Sequence, residues 1–220
     1  RGLRKRKKFY QFKFFWIFLL VIIVGATSLY FLVFSPRVQV ENIQISGNEG
    51  ISAEDLRNAA WPVVDKKIVT AGLFNISSKS IFVINIQNLI RSILEKFPQV
   101  QEVTVQKEFP HNIVLTIKER KPFATVCDKN NHCFTLDAEG VAFAEVKEIP
   151  VNMMVLRRDT ENISLGDRAV EKNTISQISS VQTNLQTNFQ VSIAEVFISK
   201  ILVAKTSESW AVYFDSEGDM

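Results

Sequence analysis

Glycine is scarce in this chain, 8 residues in 220, and cysteine and histidine occur only twice each. Loops that cradle phosphate need clustered glycines, and no such cluster is present. Nucleophile signatures are missing too. There is no Gly-x-Ser-x-Gly, and no Ser-x-x-Lys joined to a second motif. A structural zinc site takes four ligands from two separated pairs, and Cys127, His132 and Cys133 have no second pair to join. His111 and His132 both fall in turn-forming stretches, where a solvated histidine is the ordinary state. The acids Glu139, Glu145 and Glu148 are scattered over turns. These absences predict no enzyme, no cofactor, no metal and no small-molecule substrate.

Charge is missing from one long stretch. Phe14 to Phe34, FFWIFLLVIIVGATSLYFLVF, runs 21 residues without a charged side chain. At about 1.5 Å per residue a helix of that length covers roughly 31 Å, the hydrocarbon thickness of a bilayer. The segment predicts one transmembrane helix over 14–34. The preceding residues 1–13 hold seven bases (Arg1, Arg4, Lys5, Arg6, Lys7, Lys8, Lys13) and no acid, against Arg37 alone on the other flank. That asymmetry predicts a cytoplasmic N-terminus and an extracytoplasmic remainder. A cleaved signal peptide would have an apolar core of only about 7–15 residues. Here six further, mostly apolar residues follow the small-residue stretch Gly25-Ala26-Thr27-Ser28, so an uncleaved anchor is expected. Setting the seven tail bases aside leaves 19 bases against 23 acids, a net of −4. A surface of that sign does not suit nucleic acid. The start at Arg1 and the end at Met220 suggest a piece of a longer chain.

Beyond the anchor, Val38 to Ser46 alternates as a strand with one change of phase. Ser52 is a good N-cap for a short helix that Pro62 should close. A looser section is expected over 63–79. Asn85 caps a helix over 86–97 whose apolar stripe is Leu89, Ile90, Ile93, Leu94 and Phe97. Val100–Lys107 and Ile113–Ile117 then make two strands joined by a turn. The order strand, helix, helix, strand, strand predicts a small α+β domain with both helices on one face of a three-stranded sheet.

Within this domain Lys96-Phe97-Pro98-Gln99-Val100 is followed by Val103-Thr104-Val105-Gln106-Lys107-Glu108-Phe109-Pro110. Ile113 to Ile117 come next, and then Glu119-Arg120-Lys121-Pro122 with Ala124. This series resembles the end of the POTRA domain in the FtsQ/DivIB proteins. There a helix ends in Pro-x-Val, a strand ends in aromatic-Pro, and a further strand leads to Glu-Arg-x-Pro-x-Ala. Pro98, Val100, Pro110, Glu119, Arg120 and Pro122 are the signature positions, and a basic tail with a single anchor directly ahead completes the layout. The resemblance implies a POTRA domain over 38–119 and a second, β-rich domain with one helix over 120–220.

In that second part Phe123–Cys127 and Cys133–Leu136 flank a polar loop of hairpin length. Cys127 and Cys133 could bridge this hairpin in an oxidising compartment, or remain two free thiols. Asp137-Ala138-Glu139-Gly140 is a turn that the family also shows. Short extended pieces are expected at Ile149–Val151 and Met153–Leu156. A helix over about 170–189 follows, with Ile175, Ile178, Val181, Leu185 and Phe189 in helical phase. Strands over 191–198, 201–204 and 210–214 come last. The resemblance would allow Glu119–Arg120 to be an inter-domain contact, but an exposed charge pair is the default expectation.

The resemblance implies a non-enzymatic scaffold in the bacterial plasma membrane, linking division proteins during septum formation. Its partners would be FtsB/DivIC-like and FtsL-like proteins, and their strand-addition site would need residues beyond Met220. The alternatives are a POTRA-bearing component of secretion or outer-membrane assembly, and a signal-anchored cell-wall hydrolase. The first lacks tandem repeats or a barrel here; the second lacks catalytic residues.

Overall fold

The computed structural model describes residues 13–71, 74–151, 153–159, 162–199 and 201–215. The basic tail before Lys13 lies outside them. The chain packs as two compact units. One comprises the described residues up to Ile93 together with 104–116. The other comprises 94–103 and the described residues from Ile117 onward.

In the first unit, helix α1 (Lys13–Phe34) is apolar on all sides and exposed along its length. A lipid-solvated helix has this character. Its last carbonyls lack intrahelical donors. The Ser80 hydroxyl donates to Leu32 O at 2.7 Å. Ser78 Oγ (2.7 Å) and Gln39 Nε2 (2.9 Å) both donate to Val33 O. Of the strand expected over 38–46, only Asn42–Ser46 forms, as β1. Pro36–Val38 is instead a 3-10 turn, and Gln39 makes a single bridge to Ser80.

Helix α2 (Ala53–Val64) starts as expected, with Ser52 Oγ accepting from Glu54 N at 3.2 Å. It does not close at Pro62. The proline sits in the last turn, where it forfeits only its own N–H bond while Ala60 and Val64 stay buried. The stretch expected to be loose forms an antiparallel hairpin, β2 (Lys66–Ala71) with β3 (Phe74–Ser78), in the register Lys66↔Ser78. Helix α3 (Ile86–Lys96) is capped by Asn85, whose Oδ1 accepts from Asn88 N at 3.2 Å. Leu89 and Ile93 are fully buried. Phe97, expected in the same stripe, lies past the last helical residue and is only half-buried. Strands β4 (Val100–Glu108) and β5 (Asn112–Glu119) join β1 in the order β1-β5-β4, with β1 parallel to β5.

The second unit holds a seven-stranded sheet. Its strands are β6 (Ala124–Cys127), β7 (Cys133–Leu136), β8 (Ala142–Val146), β9 (Val155–Arg158), β10 (Ile193–Ile198), β11 (Ile201–Thr206) and β12 (Ala211–Asp215). They lie in the order β12-β11-β10-β9-β6-β7-β8. The extended piece expected at 149–151 is not a strand. Strand β9 runs parallel to both neighbours, β6 and β10. Helix α4 (Lys172–Phe189) buries Ile175 and Ile178 in one core with Val126, Leu156, Val196 and Leu202. Phe189, expected on that stripe, is 61% exposed because it closes the helix.

Candidate interaction site

The signature residues at the end of β5 are tied down by backbone and charge. Arg120 N donates to Gln99 O at 2.7 Å, and Arg120 Nε donates to Pro98 O at 3.1 Å. Arg120 Nη1 donates to Asp137 Oδ2, closing an ion pair whose side chains are 14% and 4% exposed. The other Asp137 oxygen accepts from Glu139 N and Val141 N, both at 2.9 Å. One carboxylate thus neutralises the guanidinium and holds the Asp137–Gly140 turn. Gly140 has φ +84°, and a Cβ there would lie 1.9 Å from Val170 O. Only glycine fits both demands.

The expectation of an exposed pair at Glu119–Arg120 is therefore corrected. The partner of Arg120 is Asp137, and it is buried. The Asp-x-x-Gly turn was visible in the sequence, but nothing local linked it to an arginine 17 residues earlier. The other signature positions play different parts. Val100 is buried. Pro110 lies in the β4–β5 turn, and Pro122 is exposed in the segment before β6. No one site gathers all six.

Cys127 and Cys133 stand opposite each other as the last pair of the β6–β7 ladder. Their Cα atoms are 4.1 Å apart and the sulfurs are joined. The buried Asp128 carboxylate closes the loop between them, accepting from Asn130 N (2.8 Å) and His132 N (2.9 Å). Among the described residues, no group of three or more His, Cys, Asp or Glu is placed to hold a metal ion.

The two edges of the large sheet differ. At β8, Ala142 N donates to Asp167 O (3.0 Å) and Gly166 N donates to Ala142 O (2.7 Å), so a passing segment covers the start of that edge. Strand β12 pairs with β11 and, among the described residues, has no neighbour on its other side. Its Val212 and Phe214 pack on the core, while Tyr213 is 68% exposed. Trp210, expected as the first residue of this strand, precedes it and is 49% exposed. Unpaired main-chain groups along an edge are a template for an added strand.

Residues 62–120 match the POTRA domain of FtsQ type. The chain carries an FtsQ-type POTRA domain. The match contains Pro98, Val100, Pro110, Glu119 and Arg120 and stops before Pro122. The chain is also similar to the cell division protein FtsQ of several streptomycetes. It is 27% identical to that of Streptomyces coelicolor over 137 residues, 62% of this chain and 46% of the relative. The FtsQ of Streptomyces venezuelae is 28% identical over 140 residues, 64% of this chain and 46% of the relative. That of Streptomyces griseus is 28% identical over 127 residues, 58% and 54%. The FtsQ-like chain spans about half the length of the curated relatives it matches.

Proposed function

We propose that this FtsQ-like chain is a non-enzymatic, bitopic scaffold of bacterial cell division that links division proteins during septum formation. The observation that carries the reading is an FtsQ-type POTRA match placed behind a membrane-length helix. The N-terminus is cytoplasmic and the chain from Ser35 onward extracytoplasmic, as the basic flank of α1 requires. A reporter active only outside the cytoplasm, fused after Met220, should work. Activity of a cytoplasm-only reporter at that junction would reverse the topology.

Its partners are FtsB/DivIC-like and FtsL-like proteins, and β12, an edge among the described residues, supports strand addition there in place of a site beyond Met220. The POTRA domain extends over 38–119 and the β domain over 120–220. A photoreactive residue in place of Tyr213 should capture an FtsB/DivIC-like protein in dividing cells, while one in place of Glu145 on β8 should not. Equal capture at both positions, or at neither, would remove β12 as the site.

A further inference from the structure

We propose that Phe82 and Phe109 form an aromatic foot that enters the lipid interface at the C-terminal end of α1. The proposal rests on the reading that α1 spans the bilayer, and holds for either orientation. Phe82 is 51% exposed and Phe109 59%, yet their rings pack at 5.3 Å between centroids. Two large apolar side chains left in water beside each other need a reason. Their place in the fold supplies it.

The chain leaving α1 has no spacer. Ser78, Ser80 and Gln39 bond the carbonyls of the last helical turn. Residues 38–40 run away from the helix and pair antiparallel with 79–81: Val40 N donates to Lys79 O and Ile81 N to Val38 O, both at 2.9 Å. The segment 79–81 therefore runs back toward the helix. Phe82 lies one residue further on, in the turn closed by Val83 N donating to Ser80 O. The second phenylalanine reaches the same end by a different route. Strand β5 starts beside the start of β1, Asn112 opposite Asn42, and runs parallel to it. The β4–β5 turn that carries Phe109 is thus at the end nearest α1, and Glu41 N donates to His111 O there at 2.9 Å.

The depth is consistent for Phe82. It follows Ile81, which pairs with Val38, so the 3-10 turn Pro36–Val38 sets its distance from the helix, about 6 Å at roughly 2 Å per residue. Phe109 comes from the level of Glu41, further from the helix, and its ring meets Phe82 at 5.3 Å. The polar region of each leaflet is about 5–8 Å thick. The aromatic pair therefore falls within the headgroup layer, where apolar rings are buried against acyl chains. Arg37, exposed in the same turn, faces the depth of lipid phosphates.

The test uses the full chain in phosphatidylcholine–phosphatidylglycerol vesicles whose acyl chains are brominated near the headgroup. Trp16, Trp61 and Trp210 are replaced by phenylalanine, and a single reporter is added as Phe82→Trp, Phe109→Trp or, at the far end of β5, Lys118→Trp. Bromolipid should quench emission of F82W and F109W at least about twofold more than that of K118W, as expected of interfacial indoles. A parallel variant retaining only Trp16 reports insertion of α1. If Trp16 is quenched while F82W and F109W behave like K118W, the foot is overturned and the anchor stands. The pair would then face a protein partner or a second copy. If Trp16 itself is not quenched, the anchor reading falls, and the foot with it.

Discussion

Arg120 and Asp137 form a buried ion pair across 17 residues of sequence, and the same Asp137 carboxylate holds the turn that follows it. Removing one member of a buried pair strands the other charge, which costs about 3–5 kcal/mol. Asp137→Ala also leaves Glu139 N and Val141 N without their acceptor. In thermal unfolding of the detergent-solubilised chain, D137A should therefore be worse than R120A, and both clearly below wild type. The double change to Arg120→Met and Asp137→Leu should recover part of the loss. An unaltered curve for D137A would contradict the pairing.

Gly140 is the next most sensitive position. Its positive φ and the 1.9 Å approach of Val170 O to a built Cβ act together. Val170 N also donates to Gly140 O at 3.1 Å, so the two strands of chain cannot separate freely. Gly140→Ala should destabilise by more than about 1 kcal/mol, whereas glycine-to-alanine changes at compatible sites stabilise. Chemical unfolding of G140A checks the sign.

Core truncations should rank by burial rather than by side-chain size. Ile93 is fully buried, so Ile93→Ala should cost about 2–5 kcal/mol. Phe97 is half-buried, with the Lys96 ammonium 5.9 Å from its ring centroid. Phe97→Ala should therefore fall short of the about 3–5 kcal/mol typical of a buried aromatic. Melting curves in which F97A is the worse variant would reverse this order.

For Cys127 and Cys133 we propose that the bridge is formed in the native envelope. The residues are six apart in sequence, and closing so short a loop should add about 2 kcal/mol on the chain-entropy model. Mass spectrometry of protein alkylated without reductant should show both cysteines blocked. Two alkylated thiols would leave the hairpin unbridged.

Lys107 donates to Ile84 O at 3.0 Å, and burial lowers its pKa from the ordinary 10.5. The folded state then releases this proton at lower pH than the unfolded chain does. In the window just below 10.5 the unfolded state binds more protons, so this group adds stability as pH rises. At neutral pH both states are charged and the burial cost is fully present. Wild type should gain on Lys107→Met between neutral pH and about pH 10, followed as the difference in melting temperature. A difference that does not change with pH would exclude the coupling.

What the amino-acid sequence determined by itself is what depends on near neighbours. A 21-residue run without charge is a membrane-length helix whatever follows it. The Asn85 cap and the Leu89–Ile93 spacing specify α3, and two short β-rich segments flanking a polar loop of hairpin length specify the β6–β7 hairpin. Tertiary structure decided what depends on distant residues. Main-chain pairing can make strands where side chains do not alternate, which is why 66–78 is a hairpin rather than a loose section. It also decided that β9 enters the sheet between β6 and β10, which puts β12 at one end of the sheet among the described residues. The partner of Arg120 belongs to the same class. A buried guanidinium must be matched by a carboxylate, but its position is chosen by where the chain returns, and only the folded backbone brings Asp137 there.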